Sequence, residues 1–159
     1  MKLLRLGSIG PSVQLLQLAL NRAGFGDLAQ DGIFGTATKS ALTRFQQAHG
    51  LVPDGIAGNL THRSLLPWYT GFTVHKIQRG DSFYSIAERY GSGVEAIRLA
   101  NPELSPANLP VGTQLVVPLS FPIVPTDIAY SAQLVAYCVR GLAARYPFIV
   151  TGEIGKSVM

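Results

Sequence analysis

Asp31-Gly32-Ile33-Phe34-Gly35-Thr36-Ala37-Thr38 recurs 23 residues further on as Asp54-Gly55-Ile56-Ala57-Gly58-Asn59-Leu60-Thr61. A repeat of this kind fixes the architecture before any single element is assigned. Asp-Gly is a turn pair: the carboxylate can take backbone N–H groups just ahead, and glycine accepts a positive φ. The spacing predicts that Ile33 and Ile56 are apolar plugs. Thr36 and Asn59 are then expected to open helices from cap positions. Ala41-Leu42 and Ser64-Leu65 continue the two copies as short apolar stripes.

Working outward, Pro11 suits a first helical position. Val13, Leu16, Ala19 and Leu20 follow at three- and four-residue spacing before Gly24 ends the run. A second helix is expected from about Thr36 to His49, stopped by Gly50, with Ala41, Leu42 and Phe45 on its inner face. A third, shorter helix spans roughly Asn59 to Leu66. Residues 1–67 therefore resemble the peptidoglycan-binding three-helix domain found beside many bacterial wall hydrolases. The resemblance rests on Leu6-Gly7, Gly10, Val13, Leu16-Gln17, Leu20, Asp31 to Thr38, Phe45-Gln46, His49-Gly50-Leu51, Asp54-Gly55, Gly58 and Leu65. The chain departs from that pattern at Ala57 and at His62, where an aromatic is more usual.

Trp68-Tyr69-Thr70-Gly71 reads as a short linker. Beyond it Phe72 to Ile77 alternates as a strand, and Gln78 to Ser82 turns the chain, with Asp81 or Ser82 placed to cap a helix. Phe83, Ile86, Ala87 and Tyr90 line the inner face of that helix, which Gly91 ends. Val94 to Ala100 forms another helix, and Gln114 to Pro118 a closing strand. Strand–helix–helix–strand over 72–118 resembles the lysin motif, or LysM, on Gly80-Asp81-Ser82-Phe83, Ile86-Ala87, Tyr90-Gly91, Ile97, Asn101-Pro102, Val111-Gly112, Leu115 and Pro118. The resemblance implies a shallow groove for N-acetylglucosamine units. One wall would be Arg79, Gly80, Asp81, Ser82 and Phe83, and the other Asn108, Leu109 and Pro110. An uncharged acetylated sugar needs backbone partners and small apolar surfaces, which such loops supply. The same residues also make an ordinary turn and helix cap, and Phe83 suits a core as well as a contact. A charge at Leu109 is expected to be tolerated, whereas Ile86→Asp is expected to unfold the module.

Residues 119–129 form a proline-bearing linker, and 130–159 belong to neither module. A helix from Tyr130 to Tyr146 carries Leu134, Val135, Cys138, Val139 and Leu142 as its stripe, and a strand is expected over 148–155. One helix and one strand cannot bury each other, so this is an unfinished domain. Arg145-Tyr146-Pro147-Phe148 with Ile154 to Met159 resembles the opening of zinc carboxypeptidase-fold enzymes. Among these it is most similar to bacterial γ-D-glutamyl-diaminopimelate endopeptidases. The fold class is thus α+β and multidomain: a three-helix bundle, a βααβ module and an incomplete α/β segment.

Composition narrows the function. The 159 residues are 47% hydrophobic and 14% charged, which is globular. Residues 1–70 carry six Lys/Arg against three Asp/Glu, residues 71–119 four against four. That mild bias suits an anionic wall, and the absence of basic runs argues against nucleic acid. The single Cys138 allows no internal disulfide and, in an apolar run, reads as a buried hydrophobe. No stretch reaches the roughly 20 apolar residues of a membrane span. Met1-Lys2-Leu3-Leu4-Arg5 is not followed by a signal-peptide core, since Gly10, Pro11, Gln14, Gln17 and Asn21 interrupt it. The expected location is the cell wall or the extracellular space without a recognisable signal, or the interior of a sporulating or lysing cell.

No catalytic or metal site is expected within the chain. His49, His62 and His75 have Val52, Leu65 and Gln78 three residues on, not the Glu of a His-x-x-Glu zinc pair. Helix ends and exposed surfaces account for these histidines. Glu88, Glu95 and Glu103 map to exposed positions, Cys138 has no sequence-suggested His partner, and no Gly-x-Ser-x-Gly elbow occurs. The expected function is binding of peptidoglycan or N-acetylglucosamine oligomers, as the targeting part of a stem-peptide hydrolase whose zinc lies outside this chain. A structural or interaction protein of the wall or spore coat is the alternative.

Overall fold

The computed structural model describes residues 2–125 and 131–147. They form two compact units: residues 2–71 with 121–125 and 131–138, and residues 72–120 with 139–147. The expected strand over 148–155 lies outside the described residues.

The first unit is helical. Helix α1 (Pro11–Arg22) starts with proline at its first turn and buries Val13, Leu15, Leu16, Leu18, Ala19 and Leu20, so it is apolar on nearly every side. Helix α2 (Thr36–Ala48) buries Ala41, Leu42 and Phe45, and α3 (Asn59–Ser64) follows the second Asp-Gly turn. Thr36 and Asn59 are the first helical residues; the caps are Gly35 and Gly58, in extended conformation and without a side-chain bond.

The stretch Trp68-Tyr69-Thr70-Gly71 is not a linker. Leu66–Thr70 is a short helix, α4, with Pro67 in its first turn and Tyr69 and Thr70 buried, ended by Gly71 at φ 81°. Tyr69 stacks on Tyr137 at 5.2 Å between ring centroids. The Arg22 guanidinium donates to the carbonyls of Trp68 at 3.0 Å and Pro122 at 2.7 Å, and lies 4.5 Å from the centre of the Phe121 ring. Residues 121–123 are therefore packed chain, with Ile123 buried.

The plug residues differ from expectation by one position. Ile33 and Ile56 are exposed, while Phe34 and Ala57 are fully buried. Backbone pairing explains the shift. Phe34 gives its N–H to Ser8 and accepts from Gly7, and Ala57 exchanges both bonds with Leu4. In these short extended pieces side chains alternate, so the residue paired inward leaves its neighbour facing out.

The second unit is a two-stranded antiparallel sheet covered by two helices. Strand β1 (Phe72–Lys76) pairs with β2 (Gln114–Pro118) in the register Phe72 to Pro118 through Lys76 to Gln114. Helix α5 (Phe83–Tyr90) opens with a reciprocal capping box between Ser82 and Ser85 and ends at Gly91, φ 61°. Helix α6 (Val94–Ala100) follows, and Asn101 clamps its end to β2: its amide donates to the Ile97 and Val116 carbonyls and accepts the Val116 N–H. Ile77, Phe83, Ile86, Ala87, Ile97, Leu115 and Val117 make the core.

Helix α7 (Ala132–Arg145) buries Leu134 and Cys138 but exposes Val135 and Val139, so its apolar stripe is narrower than expected. The Cys138 thiol donates to the Ile123 carbonyl at 3.3 Å, and burial raises its pKa.

Candidate wall-binding sites

Each Asp-Gly turn of the first unit is held by a buried glutamine from the preceding helix. Gln17 gives its amide N–H groups to Asp31 Oδ1 (2.8 Å) and the Ile33 carbonyl (3.1 Å), and its carbonyl accepts the Gly32 N–H at 2.9 Å. Gln46 repeats the pattern on Asp54 Oδ1 (2.9 Å), the Ile56 carbonyl (3.0 Å) and the Gly55 N–H (2.9 Å). Thr38 and Thr61 accept a weaker bond in the same places, both at 3.3 Å. Asp31 and Asp54 also take the N–H two residues on, at 2.9 and 2.8 Å. These bonds hold both carboxyls below their ordinary pKa, for Asp31 chiefly through Gln17 and for Asp54 chiefly through the Ile56 N–H. The role of Gln17 and Gln46 was not read from the sequence. For Gln17 the available signal was a polar residue set inside an apolar helical run; Gln46, beside Arg44 and Gln47, carries no such signal.

In the second unit the two loops expected as groove walls are joined at their bases. The Ile77 carbonyl accepts from Gly112, and the Ile77 N–H reaches the Thr113 carbonyl at 2.9 Å, which ties the start of one loop to the end of the other. Arg79, Gly80 and Ser82 are exposed on the first wall, and Asn108 and Pro110 on the second. Gly80 has φ 88° and open space where a Cβ would stand, so its role is conformational.

Three of the eight residues sit differently from a simple contact surface. The Phe83 ring is 3% exposed and belongs to the core. Leu109 is half-buried and packs against that core, so a charge there would disturb the module as well as the groove. The Asp81 side chain turns inward.

Asp81 Oδ2 accepts the Gln78 N–H at 2.7 Å and faces His75 Nε2 at 2.7 Å, while His75 Nδ1 lies 3.0 Å from the Tyr90 hydroxyl. Arg89 approaches Asp81 Oδ1 at 3.6 Å. The His75 contact, then the Gln78 N–H, holds the Asp81 carboxyl below its usual range. Asp81 therefore shapes the loop instead of presenting its carboxylate. His75 was expected on an exposed surface; it is buried, as is His62, whose ring nitrogens meet the Tyr69 hydroxyl and the Lys2 carbonyl at 3.0 Å. Both fill interior positions because each ring nitrogen finds a partner. His49 stacks on Phe45 at 4.0 Å at the end of α2. Among the described residues no three His, Cys, Asp or Glu side chains gather as a metal site, and no helix is long and apolar enough to cross a membrane.

A putative peptidoglycan-binding domain model matches residues 9–65, and a LysM domain model matches residues 75–118. The chain carries a peptidoglycan-binding domain followed by a LysM domain. Among curated proteins, the zinc D-Ala-D-Ala carboxypeptidase of Streptomyces albus G is 48% identical over 63 residues, 37% of this chain and 24% of that one. The spore cortex-lytic enzyme of Oceanobacillus iheyensis is 33% identical over 90 residues, 55% of this chain and 31% of that one. The chain thus spans about a quarter to a third of these two relatives. Among solved structures, the SleB N-terminal domain is similar at 38% identity and a TM-score of 0.40, over 41% of this chain and 89% of that one.

Proposed function

We propose that the peptidoglycan-binding and LysM domains hold this chain on bacterial peptidoglycan, with N-acetylglucosamine units lying between the loops 79–82 and 108–110. The observation that supports this best is the tandem of two wall-binding domains of different fold, each presenting an exposed turn on a rigid scaffold. A shallow groove buries little area, so one module alone should bind with a Kd of about mM to tens of μM. Two modules on one chain raise the effective concentration of the second once the first has bound.

The chain acts as the targeting arm of a wall hydrolase, and its relatives' names support that class. The finer reading is a γ-D-glutamyl-diaminopimelate endopeptidase, whose zinc would be held by residues beyond position 159. The test is retention of the purified chain on insoluble peptidoglycan and its displacement by N-acetylglucosamine oligomers. No retention at low salt would overturn the binding role. For the enzyme, the decisive observation is coding sequence past position 159 that contains His-x-x-Glu; its absence from the natural gene would remove the peptidase reading and leave wall binding intact.

A further inference from the structure

The repeat builds two clefts with one frame, and they differ in chemistry. The first, about 250 Å³, is lined by Asp27 and Asp31 together with the apolar Leu28, Ala29 and Ile33. The second, about 440 Å³, carries a single carboxylate, Asp54. Around Asp54 stand Val52, Leu60, Leu3 and Ile56, which are 75, 70, 57 and 36% exposed. Four apolar side chains turned to water form a rim around one carboxylate, the kind of surface that suits a ligand with both methyl groups and a charge. Asp54 Oδ1 accepts from both Gln46 and Ile56, while Oδ2 has no partner among the described residues. The Lys39 side chain lies across the same turn: a Cβ on Gly55 would stand 2.8 Å from its Cγ and 3.0 Å from its Cε.

We propose that this second cleft is a site for a peptide bearing a free side-chain amine, the stem peptide of peptidoglycan and not its glycan, with Asp54 Oδ2 taking the ammonium. The proposal rests on the wall-binding reading above and divides it: sugar to the LysM groove, peptide to the helical domain. A sugar hydroxyl can donate to Asp54, but a neutral sugar brings no cation to balance the carboxylate and few methyl groups for the apolar rim. A stem peptide offers alanine methyl groups to that rim and an ammonium to Asp54. It also carries carboxylates, which fit a cleft with one Asp and a neighbouring Lys39. The first cleft, with two carboxylates, repels them.

The test uses the full chain and a soluble tetrapeptide, N-acetyl-L-Ala-γ-D-Glu-meso-diaminopimelate-D-Ala, followed by calorimetry or NMR. A second sample of the peptide is acetylated on its side-chain amine. Acetylation is expected to weaken binding at least ten-fold, and so is Asp54→Asn. The asparagine keeps an oxygen for Gln46 and Ile56, so the turn survives; intact mass checks that the new Asn-Gly pair has not deamidated. Asp31→Asn is expected to bind as the unchanged chain does, and the exposed pair Val52→Ser with Leu60→Ser to weaken binding several-fold with circular dichroism unaltered. Equal affinity for both peptides, or for the Asp54→Asn chain, would overturn the proposal. No peptide binding alongside persistent retention on sacculi and N-acetylglucosamine displacement would also overturn it, while sparing the wall-binding role. Failure of retention as well would remove both.

Discussion

The two units hold their exposed turns by the same device made from different chemistry. In the helical unit Gln17 and Gln46 reach from a helix into an Asp-Gly turn. In the LysM unit His75 reaches from a strand to Asp81 in a Gly-Asp turn. A primary amide donates and accepts at once and stays neutral, so each glutamine satisfies a buried glycine N–H and two or three oxygens at any ordinary pH. An imidazole has two ring nitrogens whose roles follow its tautomer. Here Nε2 gives a proton to Asp81, and Nδ1 accepts from Tyr90. The helical unit's turns thus rest on a neutral group that donates and accepts at once, whereas the LysM loop rests on one ring nitrogen facing one carboxylate.

The largest test of that contrast is Gln46→Leu. It removes the bonds to Asp54, Ile56, Gly55 and Thr61 and leaves the buried Gly55 N–H without a partner. A loss of about 3–5 kcal/mol is expected in denaturant unfolding of the helical unit, because an orphaned buried donor adds its desolvation cost to the lost bonds. A loss under about 1 kcal/mol would mean that the backbone alone holds the turn.

His75→Phe is expected to cost less, about 2 kcal/mol, since one charge-assisted bond to Asp81 disappears. Its sharper readout is the loop: amide chemical shifts of residues 78–82 should move while those of α6 do not. Unchanged loop shifts would leave His75 as packing only.

Protonation sharpens the comparison from the other side. Burial holds His62 below its ordinary pKa of 6.5, so the folded unit prefers the neutral ring. Its contribution is complete above that value and is lost as pH falls below it, because the unfolded chain then binds the extra proton. Melting temperature of the helical unit should fall between pH 7.5 and 5.5, and His62→Gln should flatten the slope. A slope that persists in the variant would place the titration elsewhere.

The smallest effect concerns the plug. Ile33→Ala should change stability by no more than about 0.5 kcal/mol, while Phe34→Ala next to it should cost about 3–5. Equal costs would restore the isoleucine as the buried residue.

Most helices were legible, because α1, α2, α5 and α6 each combine an apolar stripe with a turn or capping residue at its end. The stop at Gly91 was readable from residue type alone, while the cap was narrowed to Asp81 or Ser82 and the structure chose Ser82. Pro67 hid α4: a proline after an apparent helix end looks like a break, yet it opens the next short helix, and only the burial of Tyr69 against Tyr137 shows why that helix forms. The groove loops were legible as places. Whether a residue in them faces outward was not, because Asp81 is turned inward by His75 and Leu109 is drawn against the core.

By itself, the sequence determined that there are two small modules, where most of their helices and both strands of the second run, and that an Asp-Gly turn is used twice. Those properties follow from local periodicity and from the conformations that glycine, proline and short polar side chains favour. The tertiary structure decided which of Ile33 and Phe34 is inside, that Gln17, Gln46 and His75 hold the turns, and that one cleft of the repeat carries two carboxylates and the other only one. Each of those depends on partners many residues away, and sequence spacing carries no information about which distant backbone group a side chain will meet.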